Sequence, residues 1–322
     1  MIDVTLREAL KNRNRKVPYM NTELSNEVST KLTSRRQALR CLGLGAAGFT
    51  AAGLLAPTAR AQEITASQGP SDIEILQFAL NLEYLEAEYY TYATTGFGIE
   101  QKGVDVFGKG NPGPVIIKAN PRVPFGDRDQ IKDYALEIAR DERKHVRFIR
   151  DVLKSLGATP VARPTIDLKN SWNALAQAAG LGAKFDPFAN TINFLLGAFV
   201  FEDVGVTAYR GAAPLINNST VLSGAAGLLG VEAYHAANIR TVLIQQNSQP
   251  INGATRKISD LRDTLDQDSD QDQGIIFEGT SNIVPTNENS LVFARTVRQV
   301  LNILYFAPNA SAGGFFPNGI NL

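Results

Sequence analysis

The chain contains two histidines, and each stands three residues after a glutamate, in Glu142-Arg-Lys-His145 and Glu232-Ala-Tyr-His235. On an α-helix that spacing puts both side chains on one face, with β-carbons about 5–6 Å apart. One carboxylate and one imidazole can then reach a common centre. A single such pair is a common accident of an exposed helix face, but two pairs that use up every histidine of the chain call for a reason. Two Glu-x-x-His helices facing each other, joined by one Glu from each of two further helices, enclose a site for two metal ions. The rest of the sequence is therefore read for a bundle that supplies the two further carboxylates.

Four long helical patterns are present. Ser71-Asp72 offers an N-cap to a first helix whose apolar positions Ile75, Leu76, Ala79, Leu82, Leu85 and Ala87 recur with helical period, to about Ala93. A Gly- and Pro-rich stretch from Thr94 to Gly126 follows, long for a connection in a compact bundle. Asp127 or Asp129 caps a second helix through Leu156, ended by Gly157 and Pro160. Residues 158–190 read as a crossover with one short helix around Trp172–Ala179. The third helix, about Thr191 to Arg210, is almost wholly apolar, as a helix buried between neighbours is. A short turn leads to a fourth, about Ser219 to Gln246, which should run antiparallel to the third. Two helices, a long crossover and two more helices is the layout of a ferritin-like bundle. The expected fold is thus all-α, a four-helix bundle over residues 71–250 with an inserted loop after its first helix.

Residues 251–322 form an expected C-terminal extension, with a short helix at Ile258–Leu265 and another capped by Thr296. It ends in an aromatic tail, Phe315-Phe316-Pro317, suited to packing on the bundle or on a second copy. Asp266, Asp268, Asp270 and Asp272 alternate between the two helices. They lack the Gly and Glu of an EF-hand loop, so they read as a solvated loop.

The bundle contains an internal repeat. Laid on the first helix, the third aligns Glu202 with Glu83, Tyr209 with Tyr90, Ala212 with Ala93 and Ala198 with Ala79. Laid on the second, the fourth aligns Glu232, His235, Ile239, Arg240, Val242 and Leu243 with Glu142, His145, Ile149, Arg150, Val152 and Leu153. A duplicated helix pair implies a pseudo-two-fold axis, and a dinuclear centre is the natural object to lie on it. The expected ligands are Glu83, Glu142, His145, Glu202, Glu232 and His235. Glu202 carries a separate warrant, since Phe199-Val-Phe-Glu202 sets it in an apolar helix where an unpaired carboxylate is costly. Mixed carboxylate and imidazole donors suit iron or manganese, with zinc also compatible.

Glu86 competes with Glu83, one turn on along the same face, although the repeat sets it against Gly205. Asp141 is a candidate to orient the distal nitrogen of His235, against an equal claim that it faces solvent. Tyr90 and Tyr209, two turns from Glu83 and Glu202, either hold ligand carboxylates, relay an electron or simply fill the core.

The N-terminal segment has a different character. Ser34-Arg-Arg-Gln-Ala-Leu-Arg40 leads into an apolar run from Cys41 to Ala56 and then Ala59-Arg-Ala61, which resembles a twin-arginine export signal over residues 1–61 cut before Gln62. The run falls short of the roughly 20 apolar residues that span a bilayer, so no stable membrane insertion is expected after cleavage. Met20 would give a leader of more usual length than Met1, and both starts stay open. Residues 62–70 read as a polar linker. The expected location is the periplasm, or otherwise outside the cytoplasm by the same route. Residues 1–61 hold 10 Lys and Arg against 4 Asp and Glu, leaving 22 against 28 in the remainder. That mildly acidic remainder carries no footprint for nucleic acid. The single cysteine, Cys41, lies in the leader, so the exported chain has neither disulfide nor thiolate ligand.

The run Ile75-Leu-Gln-Phe-Ala-Leu-Asn-Leu-Glu-Tyr-Leu-Glu-Ala-Glu-Tyr-Tyr90, the two Glu-x-x-His helices and Phe293-Ala-Arg-Thr-Val-Arg-Gln-Val-Leu-Asn-Ile-Leu-Tyr305 resemble exported ferritin-like proteins related to the plant desiccation-related proteins. The resemblance spans about Ser71 to Phe316 and implies a ferritin-like core and a stress-associated setting; fold alone does not fix the reaction. The leading expectation is an oxidoreductase whose two metals act on a small inorganic substrate, namely peroxide, dioxygen or ferrous ion. The alternative is a protective binding protein with a structural or vestigial metal site, compatible with a homo-oligomer. An iron-storage cage is weaker, because the insert and the extension would have to fit a closed shell.

Overall fold

The computed structural model describes residues 69–126, 130–267 and 271–322. The expected leader, most of the linker, the caps at Asp127 and Asp129, and Asp268 and Asp270 lie outside the described residues. The described chain is mostly helical, and its four long helices are α1 (Asp72–Thr95), α2 (Gln130–Ser155), α4 (Thr191–Ala212) and α5 (Ser219–Gln245). A short α3 (Asn170–Ala178) lies in the crossover, and α6 (Gln249–Asp266) and α7 (Val297–Tyr305) follow the bundle.

Each boundary has a local cause. Ser71 and Glu74 form a reciprocal capping box on α1, and Gly96 ends it at φ 81°. Asn190 and Asn218 cap α4 and α5 through their side-chain oxygens. Thr296 and Gln299 repeat the capping box on α7. The helix expected at Ile258–Leu265 begins earlier, at Gln249. Pro250 suits its first turn, and Ile251, Thr255, Ile258, Arg262 and Leu265 carry one buried stripe along it.

Cross-helix contacts fix the directions. Arg150 reaches Tyr84 and Arg143 reaches Thr91, so α1 and α2 are antiparallel. Tyr90 meets Glu202 and Tyr209 meets Glu83, so α1 and α4 are antiparallel as well. These crossed contacts obey the pseudo-two-fold relation of the repeat. α4 is long and apolar enough to cross a membrane, but 83% of its most apolar window is buried inside the bundle, as in a core helix.

α1 is buried on all faces, beyond the apolar stripe read from its sequence; Gln77, Asn81, Glu83, Glu86 and Glu88 are buried with the rest. Segments outside the bundle cover its outer face, and the polar residues there pin them. Gln77 bonds Thr159 and Val161 of the crossover at 2.8 Å each. Asn81 bonds the backbone of Asn321. Glu88 takes Arg163 and the amide of Ile99. The Gly- and Pro-rich insert is a strap. Its β1 (Val115–Ile116) pairs in parallel with β2 (Ile166–Asp167) of the crossover, and its own Ile99, Val104, Val106 and Val123 are buried. Gly108 and Gly113 make the crossing possible, since a β-carbon would lie 1.9 Å from the Pro160 carbonyl oxygen or 2.2 Å from the Thr165 nitrogen.

The C-terminal extension packs on α4. Phe315 meets Trp172 and Phe201 at centroid distances of 4.9 and 4.8 Å. A small hairpin of β3 (Ile276–Phe277) and β4 (Thr280–Ser281) lies within it. Contrary to the expectation of a solvated loop, Asp266 and Asp272 are buried. They belong to a buried ion network in which Arg240 bonds Asp203 (2.8 Å), Arg262 bonds Asp203 (3.2 Å) and Asp272 (2.6 Å), and Arg295 bonds Asp266 (2.8 Å) and Asp272 (3.0 Å). Asp266 and Asp272 look soluble in sequence because Arg295, which both of them meet, lies on another segment.

Candidate metal centre

Midway along the bundle, α1 contributes Glu83, α2 Glu142 and His145, α4 Glu202, and α5 Glu232 and His235. All six are buried, with the carboxylates at 0–1% exposure and both histidines at 6%. One donor atom from each of Glu83, Glu142, His145 and Glu232 lies within 4.8 Å of the others, and Glu142, Glu202 and His235 form a second such group. His145 Nδ1 is 3.2 Å from Glu83, 3.4 Å from Glu232 and 3.5 Å from Glu142. His235 Nδ1 is 3.1 Å from Glu142 and 3.6 Å from Glu202. The rings lie 6.1 Å apart, inclined by 25°.

Two buried tyrosines sort the carboxylate oxygens. The Tyr90 hydroxyl donates to Glu202 Oε1 and the Tyr209 hydroxyl to Glu83 Oε1, across the axis in both directions. Each of these glutamates keeps one oxygen, Oε2, without a hydrogen-bond partner, whereas Glu142 and Glu232 keep both. Nδ1 of both histidines is likewise unpartnered. Buried polar atoms left so are costly, and here every one of them faces a common centre. Oxygen and imidazole nitrogen donors with no thiolate are the donor set of iron, manganese or zinc.

Electrostatics record the same crowding. Burial raises Glu83 to about 8, though His145 opposes it. Burial and neighbouring carboxylates hold Glu86 and Glu232 above the usual range; Glu202 is raised by burial despite the opposing charge of His235. Burial works against Glu142 too, but the two imidazoles outweigh it and pull that carboxyl well down. Burial disfavours charge on His235, yet Glu202, Glu142 and Glu232 overcome it and push it up to about 10; His145 is raised further by Glu83 and Glu142. Without a cation, the carboxylates draw protons onto the imidazoles.

The other candidates fall around this centre. Glu86 is buried beside it but belongs to neither donor group. Its Oε1 lies 3.3 Å from where a β-carbon on Gly205 would stand, and Glu232 Oε2 lies 2.6 Å from the same point. Gly205, not singled out in the sequence, thus leaves the room these carboxylates occupy; its only sequence signal is that it breaks the repeat opposite Glu86. Asp141 Oδ2 is 4.0 Å from the distal nitrogen of His235, outside hydrogen-bond reach, while its Oδ1 pairs with Lys144 at 3.2 Å. Asp141 faces that histidine without fixing it.

Comparison with known proteins agrees with this architecture. The ferritin-like domain family matches residues 71–245. The chain is 34% identical to the desiccation-related protein PCC13-62 of Craterostigma plantagineum over 72% of this chain and 76% of that protein. It is 29% identical to the ferritin-like catalase Nec2 of Nesocodon mauritianus over 78% of this chain and 84% of that protein.

Proposed function

The chain belongs to the ferritin-like domain family, and from that premise we propose that it is an exported di-metal oxidoreductase that disproportionates hydrogen peroxide. The observation that carries the metal reading is the set of unpartnered atoms. Glu83, Glu202, His145 and His235 offer one each, and Glu142 and Glu232 offer two each. Glu142, which belongs to both donor groups, would serve both ions, while Glu83, Glu232 and His145 would hold one ion and Glu202 with His235 the other. The peroxide reading is supported by the similarity to a protein named a ferritin-like catalase. Two bound manganese or iron ions supply a two-electron couple, enough to reduce one peroxide to water and oxidise a second to dioxygen.

The protein's own residues then have defined tasks. Tyr90 and Tyr209 hold the second oxygen of Glu202 and Glu83 and so leave a single oxygen of each for metal. Leu85 and Phe201, which line a small cavity with Glu86 and Gly205, help keep bulk water from the carboxylates. Export rests on the twin-arginine pattern at Ser34–Arg40 and Ala59–Ala61.

The test is peroxide consumption by purified protein loaded with two equivalents of manganese or iron, beside a Glu142→Ala/Glu232→Ala double variant. Equal rates for the two proteins would remove the assignment. A second reading, a protective protein with a structural metal, is favoured by the similarity to a desiccation-related protein. It predicts metal-dependent stability without peroxide or ferrous-ion turnover.

A further inference from the structure

A cavity of about 580 Å³ lies between α2 and α5 and meets the candidate centre at His235. Glu137 and Asp141 of α2 line it, with Tyr234, Asn238 and Thr241 of α5. Tyr234 is 79% exposed at its rim. Asn238 keeps a buried carboxamide oxygen without a hydrogen-bond partner, and the distal nitrogen of His235 has Asp141 as its facing group at 4.0 Å.

The internal repeat supplies a control within the same molecule. Its register, which sets Glu232 on Glu142, sets Asn238 on Phe148, Gly224 on Tyr134, Tyr234 on Lys144 and Ala237 on Arg147. On the His145 side of the axis, Phe148 sits against Gly224 so closely that a β-carbon there would meet the ring at 2.8 Å. Both histidines keep the same 6% exposure, so exposure does not distinguish the sides. What differs is the lining. Carboxylates, a carboxamide and hydroxyls surround the cavity at His235, whereas the aromatic ring of Phe148 and the cationic Arg147 occupy the related positions beside His145, and Lys144, the counterpart of Tyr234, pairs with Asp141.

We infer that the α2–α5 cavity is the port of the metal centre, admitting small solutes that donate hydrogen bonds, and that Phe148 seated on Gly224 closes the pseudo-symmetric entrance. The solutes that suit acceptors such as Glu137, Asp141 and the Asn238 carboxamide oxygen are hydrogen peroxide and the water ligands of a hydrated divalent cation. Solutes therefore reach the ion held by His235 first. This inference rests on the reading of the six residues as a metal centre, deepens it by naming a route and a solute class, and has a test that does not need metal.

The chain's two histidines make the readout specific. Metal-free protein is incubated in D2O, and deuterium labelling of each histidine at ring carbon Cε1, which proceeds through the imidazolium, is followed by peptide mass spectrometry. Asn238→Phe, which places on the open side the residue found on the closed side, is expected to slow labelling of His235 at least tenfold and leave His145 unchanged. Thr241→Trp, farther along the cavity, should act in the same direction and stands in if the first variant fails to fold. Phe148→Ala should speed labelling of His145. Unchanged labelling of His235 in both folded cavity variants would overturn the port, and unchanged labelling of His145 in folded Phe148→Ala would overturn the plug. In metal-binding protein, Asn238→Phe should slow both manganese uptake and, once loaded, peroxide consumption by at least tenfold at unchanged final metal content. Loss of uptake rate alone would overturn peroxide as a solute of the port, and loss of peroxide rate alone would overturn the cation. Slowed labelling in a protein that binds no metal would leave the port standing and remove the metal reading instead.

Discussion

Replacing Tyr90 by Phe removes one hydroxyl and frees Glu202 Oε1, whose partner in the structure is that hydroxyl. The ring can stay where it is, because it packs against Tyr89 and Phe194 at 5.2 and 5.7 Å. The loss is therefore one hydrogen bond to a buried carboxylate, about 1.5–3 kcal/mol. Felt on the metal-bound state, that is a fall of roughly 10- to 150-fold in affinity for the ion Glu202 holds, in line with the 10–100-fold typical of groups that orient ligands. Tyr209→Phe should do the same to the ion held by Glu83. Tyr89→Phe is the control, since the Tyr89 hydroxyl is as deeply buried but donates to the Phe194 carbonyl at 2.7 Å. It should lower stability without touching metal affinity. Chelator-competition titration reads the affinity, and urea unfolding of the metal-free proteins reads the stability. Wild-type affinity in Tyr90→Phe, or an equal loss in Tyr89→Phe, would refute the reasoning.

Gly205→Ala should reduce bound metal below two per chain in elemental analysis of the folded protein, because the added β-carbon would stand 2.6 Å from Glu232 Oε2 and push that carboxylate aside. Arg240→Leu should destabilise the protein by about 3–5 kcal/mol in urea unfolding, as expected when one partner of a buried ion network is removed, since Asp203 keeps only Arg262. Metal-free protein should lose stability as pH rises from about 5 to about 10. His235, raised to about 10, binds a proton in the folded state that the unfolded chain releases near 6.5, and Glu83, raised to about 8, does so above 4.5; more protons on the folded form make stability fall with pH. Metal-loaded protein should show no such decline over that window, because ligands in a metal site are deprotonated. Unfolding curves at stepped pH, with and without metal, check the sign.

The bundle and the six converging residues were legible because helical spacing and the repeat both act through the chain's own periodicity. Glu83 could be ranked above Glu86 because the repeat sets Glu202 against Glu83 but Gly205, which has no side chain to match, against Glu86. The coverings were not legible in that way. A period of 3.6 residues says which faces of α1 align, yet nothing of what lies over them, so Gln77, Asn81 and Glu88 read as ordinary polar positions until Val161, Asn321 and Arg163 are set against them. Asp266 and Asp272 misled for the same reason, since Arg295 is 29 residues from Asp266. The cavity is harder still to read, for it depends on which side chains are small beside large ones across two helices.

The two halves of the repeat agree where they face the centre and part company one residue away. Tyr84 follows Glu83 as Asp203 follows Glu202, and each meets the same arginine of the repeat, Arg150 or Arg240. Arg150 then reaches out to Asp105 and the Phe107 carbonyl of the strap. Arg240 reaches the carbonyls of Gln273, Gly274 and Asn282 in the C-terminal extension. One inherited arginine thus clamps two different coverings onto two equivalent helices. The neutral Tyr84 suffices where Asp105 supplies the countercharge from a partly exposed strap, whereas the fully enclosed Arg240 needs the buried Asp203 beside it. The divergence follows from what each half must cover. A pair of ions astride the axis would require like donors from both halves, while the outer faces meet unlike segments and owe each other no likeness. The asymmetric pairs, Glu86 with Gly205 and Phe148 with Asn238, lie between those regimes, close enough to the centre to affect it and far enough to differ, and that is where the two halves of the candidate centre acquire unequal surroundings.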